Sequence, residues 1–118
     1  MELDRLFPAG TLLGDTTVNG PGERYNFDVT TGSAGAVIRY TYRDSTGTDR
    51  RTVTISYEPA ATRQHVGAQQ LFGLTEFAPN SSIVAEIQTG NAVIRGTPTN
   101  NITNDSRSQP WREVKGGR

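Results

Sequence analysis

Over most of this chain apolar and polar residues alternate with a period of two, and that pattern selects strands over helices. Tyr25, Phe27 and Val29 interleave with Arg24, Asn26 and Asp28, and Ile38, Tyr40 and Tyr42 interleave with Arg39, Thr41 and Arg43. Val53, Ile55 and Tyr57 alternate with Thr52, Thr54 and Ser56, and Ile83, Ala85 and Ile87 with Val84, Glu86 and Gln88. Successive side chains of a strand point to opposite faces, so each stretch has one face for a core and one for solvent.

Turn residues punctuate these stretches. Asn19-Gly20-Pro21-Gly22, Thr31-Gly32-Ser33-Ala34-Gly35, Asp44 to Asp49 and Thr89-Gly90-Asn91 combine Gly, Asn, Asp and Pro, the residues that accept or preset turn dihedrals. Strands are therefore expected at 11–18, 23–30, 36–43, 50–57, about 70–76, 82–88 and 92–95. The pairs 36–43/50–57 and 82–88/92–95 read as hairpins. The stretch from Pro59 to Pro79 has the weakest periodicity: Ala60 to Gln70 fits a helical turn or an irregular loop, and the strand is expected around Gln70 to Glu76.

About seven short strands with no helical repeat predict an all-β domain, a small antiparallel β-sandwich of jelly-roll or immunoglobulin-like type. It should occupy residues 11–96, between an N-terminal arm at 1–10 and a polar C-terminal arm at 97–118. That last segment has Ile102, Trp111 and Val114 as its large apolar residues, too few to offset its own ordering.

Composition narrows the function classes. Of the 118 residues, 33% are hydrophobic, which allows a single modest core. Twelve basic and twelve acidic residues give zero net charge, so neither a nucleic acid nor an anionic membrane is an expected partner. Lys115 is the lone lysine, and an arginine-rich basic set suits bidentate pairing with carboxylates. The chain has no cysteine, which excludes disulfides, thiolate metal sites and cysteine nucleophiles. Glu2, Asp4 and Arg5 interrupt the N-terminal apolar residues, so a signal peptide is not expected and synthesis in the cytoplasm without export is.

Motifs that carry chemistry are sparse. His65 is the sole histidine and has no second imidazole for a zinc site. No serine sits in a Gly-x-Ser-x-Gly elbow, and the glycine spacings lack the Lys-Ser/Thr ending of a phosphate loop. Asp44 and Asp49, with Ser45 and Thr48, could offer oxygens to calcium, but not at EF-hand spacing. No cofactor, metal or catalytic residue is assigned.

Two interaction features stand out. The polar face of the 36–57 hairpin should gather Arg39, Arg43, Arg50 and Arg51 near Thr41, Thr52 and Thr54. Leu3, Leu6, Phe7 and Trp111 lie outside the expected core, where apolar side chains serve as anchors in a partner's pockets. The expected function is thus a non-enzymatic structural protein whose terminal arms dock on neighbouring subunits. A virus or phage particle component is the leading form, a capsid decoration, cement or tail protein that meets copies of itself or a major capsid or tail protein. The alternative is a β-sandwich module for a carbohydrate or other small ligand, with Trp111 or a tyrosine as platform. A third reading, a small β-barrel enzyme, requires a pocket that brings an Asp or Glu within hydrogen-bond reach of His65.

Overall fold

A computed structural model of the protein describes residues 5–18, 23–74 and 77–100. The order of elements is β1 (Leu12–Val18), β2 (Glu23–Arg43), β3 (Asp49–Tyr57), β4 (Gln64–Gly67), α1 (Ala68–Phe72) and β5 (Ser81–Asn100). The fold is all-β, a single antiparallel sheet in the order β1-β5-β2-β3 with β4 also paired to β2.

Among the described residues five strands replace the expected seven, because two expected loops are bends inside continuous strands. β2 runs 21 residues through Gly32–Gly35, and β5 runs 20 through Thr89–Asn91. Each pairs with the other on both sides of its bend: 36–43 with 82–90, and 23–31 with 92–100. The expected 82–88/92–95 hairpin is therefore absent, since both halves of β5 find their partner in β2. The 36–43/50–57 hairpin forms as the alternation predicts, as β2 and β3.

The bend folds β2 back over itself. Thirteen residues of straight strand would separate Phe27 from Tyr40 by about 43 Å. Their rings instead stack with centroids 5.7 Å apart. Two layers of one sheet thus face each other. One contains β1, β3, residues 36–43 of β2 and 81–90 of β5, and the other contains β4, residues 23–31 of β2 and 92–100 of β5. Tyr25, Phe27, Val29, Ile38, Tyr40, Tyr42, Ile83, Ala85 and Ile87 fill the space between, the inward parity read from the sequence.

Two glycines permit the bend. Gly35 and Gly90 have φ of 76° and 80°, and a Cβ on Gly90 would lie 2.0 Å from the Gly35 carbonyl oxygen. Only a residue without a side chain tolerates both the left-handed backbone and that approach.

The expected strand at 70–76 is not formed by its described residues, 70–74, which carry the end of the single helical turn of α1 that follows the short β4; residues 75 and 76 lie outside the described residues. At the start of α1 Gln70 Oε1 accepts the Gly67 N–H at 3.4 Å. Gly73, in the left-handed region, ends the turn with its N–H on Gln69 O at 2.8 Å, a common way for a helix to stop. Phe72 and Phe77 then plug one end of the core against Tyr42, with ring centroids 5.9 Å and 5.4 Å away. The tilted and edge-on geometries are those that aromatic rings favour.

Residues 7–11 are stitched to β5. Phe7 and Ala92 exchange both backbone hydrogen bonds at 3.1 Å, Gly10 N–H donates to Ile87 O at 2.7 Å, and Ile87 N–H to Thr11 O at 3.1 Å. Among the described residues no helix is long and apolar enough to cross a membrane.

Candidate functional site

The outer face of the 23–31 layer carries a polar groove of about 370 Å³ lined by Asp28, Thr30, Thr62, Arg63, Val93 and Arg95. Strand register assembles it. Asp28 points outward between inward Phe27 and Val29, directly opposite His65 on β4 and Arg95 on β5. His65 Nδ1 lies 2.6 Å from Asp28 Oδ1, and Arg63 Nε lies 3.7 Å from Oδ2. The Thr30 hydroxyl donates to Thr62 O at 2.9 Å.

This Asp–His pair meets the hydrogen-bond condition set for an enzyme reading, and it orients an imidazole as a general base requires. The His65 side chain is 61% exposed and Arg63 73%, so both stand open to solvent. The arrangement is suited to holding β4 against β2 and to meeting a polar surface.

A second groove, about 200 Å³, lies on the outer face of the other layer and is lined by Leu12, Arg39, Thr41, Arg43, Asp49, Thr52, Val84 and Glu86. Here the expected arginine patch is resolved into separate pairs. Arg39 binds Glu86 and Arg43 binds Asp49, each at 2.6 Å, and Arg50 lies 3.8 Å from Asp44. Exposed pairs of this kind contribute little to stability, yet they leave the face electrically balanced. Arg51 does not join the patch. It stands opposite inward-facing Tyr42, and its guanidinium donates to Phe72 O at the end of α1 at 2.7 Å.

The 44–49 loop spends its oxygens on the turn. Asp44 Oδ1 accepts from Thr46 N–H and Thr48 N–H at 3.0 Å and from the Thr46 hydroxyl at 2.6 Å. The Thr46 hydroxyl bond, first, and the Thr48 amide hold the Asp44 carboxyl below its usual range, because both favour the charged form. Among the described residues no group of three His, Cys, Asp or Glu side chains is placed to hold a metal.

Of the expected anchors, Leu3 and Trp111 lie outside the described residues. Leu6 is the exposed large hydrophobic residue among those described, at 36%. Phe7 packs partly against the core of its own chain, where the bridge to Ala92 places it.

One polar pair escapes a reading of the sequence. The Tyr40 and Tyr57 hydroxyls meet at 2.8 Å inside the core. Burial, then the neighbouring Tyr57, pushes the Tyr40 hydroxyl well above its usual pKa, and burial raises Tyr57 as well, since a phenolate loses its hydration there. The inward parity of both residues is legible from alternation. Their contact requires the β2–β3 register.

No protein-family model and no curated protein matches this sequence. Among solved structures, the chain is similar to the crystal structure of Thermotoga maritima 1070. The TM-score is 0.63 at 17% identity, with 92% of this chain and 98% of that one covered, a likeness of fold.

Proposed function

We propose that this chain is a non-enzymatic β-sandwich building block of a multi-subunit protein assembly, its folded-over sheet serving as the two layers of the sandwich. The observation that carries the reading is the contrast between its faces and its edge. On the outer faces Arg39, Arg43, Asp28, Asp49 and Glu86 are bound to neighbours on the same layer. At one edge of the sheet, the nine-residue strand β3 pairs with β2 on one side and with no described residue on the other. Open strand edges join protein to protein through backbone hydrogen bonds.

The docking elements of the proposal are this edge and the terminal segments carrying Leu3, Leu6 and Trp111. A virus or phage particle is the leading setting for such an assembly. Light scattering on the full chain, beside a chain cut to residues 5–100, tests it. A defined oligomer, or a stable complex with a co-purified protein subunit, is the expected result. A full chain that stays monomeric and binds a glycan in its place would move the function to the small-ligand reading.

A further inference from the structure

The backbone directions in β3 follow from its neighbours. Ile87 spends its N–H and C=O on Thr11 and Gly10, on the β1 side. Its partner across β5–β2, Ile38, faces Ile55 on β3. Ile38 must then turn its own groups toward β3, because an antiparallel pair exchanges either both bonds or neither. Ile55, Val53 and Arg51 thus bond to β2, while Thr52, Thr54 and Ser56 present N–H and C=O to the free edge.

Among the described residues that edge lacks the usual protections. The bulge and the charges Asp49, Arg50 and Arg51 are confined to its first residues, and Thr52 to Tyr57 is regular, uncharged and free of proline. It is also rich in residues that favour strands. Val53 and Ile55 are half-buried at its inner side. Among the described residues α1 reaches β3 through the Arg51 bond to Phe72 and leaves the backbone of 52–56 uncovered.

We infer that β3 pairs antiparallel with β3 of a second copy of this chain, about a two-fold axis at Thr54. This deepens the assembly reading above and rests on it. The occupant follows from self-complementarity. Centred on Thr54, the register sets Val53 against Ile55, Thr52 against Ser56, Arg51 against Tyr57 and Arg50 against Glu58, so that opposite charges meet twice. Centring on Val53 or Ile55 sets Arg51 against Ile55 or Pro59 and separates Arg50 from Glu58. The Thr54 register also uses the outward groups of Thr52, Thr54 and Ser56 in about six inter-chain backbone hydrogen bonds.

Sedimentation equilibrium of the full chain, combined with amide exchange, tests the pairing. Mass should rise with concentration, and the amides of Thr52, Thr54 and Ser56 should gain protection over the same range. Thr54→Pro removes an outward N–H that β2 does not use, so the fold should keep its circular dichroism while self-association weakens at least about tenfold. Thr54→Lys and Thr54→Glu should each be monomeric alone, and their equimolar mixture should dimerise. A wild-type chain that stays monomeric up to about 1 mM overturns the pairing. So does an oligomer that Thr54→Pro and Thr54→Lys leave intact, but that outcome keeps the assembly reading. A Lys/Glu mixture that fails to dimerise overturns the Thr54 axis.

Discussion

Replacing Gly90 with alanine tests the crossing on which both layers depend. A Cβ there would stand 2.0 Å from Gly35 O and 2.9 Å from Ala36 Cα. Ordinary contact is about 3.5 Å, so the two strands would have to separate at the bend that sets the layers face to face. Two costs add: about 1–2 kcal/mol for an L-residue in the left-handed region, and about 1–3 kcal/mol for forcing packed backbone apart. The expected loss is about 2–5 kcal/mol, or roughly 8–20 °C in Tm for a domain of this size. Gly47 isolates the first cost, because its φ is 86° and a Cβ there meets nothing within 4 Å. Gly47→Ala should therefore lose only about 1–2 kcal/mol. Urea unfolding followed by far-ultraviolet circular dichroism measures both variants against wild type. If their losses agree within about 0.5 kcal/mol, the close approach of Gly90 to Gly35 does not hold the bend.

Two further predictions concern the buried tyrosine pair. Tyr57→Phe removes the partner of the fully buried Tyr40 hydroxyl, and an orphaned hydroxyl of this kind should cost about 1–3 kcal/mol. Removing both hydroxyls in Tyr40→Phe/Tyr57→Phe should restore much of that, and a double variant as unstable as the sum of the singles would refute the account. The pH dependence has a definite sign. Folding raises the Tyr40 pKa above its ordinary value of 10.0, so above that pH the unfolded chain releases a proton that the folded chain retains. The stability present below about pH 10 should fall as pH rises from there, more steeply in wild type than in Tyr40→Phe, and equal slopes in urea titrations would refute it.

The parity of each strand is legible in the sequence, and its partner is not. Alternation places Phe27, Tyr40, Ile55 and Ile87 inward, where they lie. The Asp44 to Asp49 turn is legible too, because Asp44 accepts from the backbone two and four residues ahead, a local interaction. Gly90 misleads because glycine serves both chain reversal and close approach, and only the pairing of 82–100 with all of β2 separates the two uses. Arg51 shares the parity of Val53, Ile55 and Tyr57, a signal for the inner side, but its charge argues for the outer face. Asp28 and His65 meet across 37 residues of sequence, and no local pattern encodes that register.

The mutual dependence of β2 and β5 also governs how the chain can be made. During synthesis β2 and the hairpin to β3 emerge from the ribosome before Ser81 to Asn100 do, and until then one side of β2 lacks its β5 partner. Neither layer can close first, because β5 supplies a strand to both. Loop closure between these distant segments precedes any reward from pairing, so folding should be slow, single-step and late. Until then an exposed 21-residue strand is the species that a chaperone must shield.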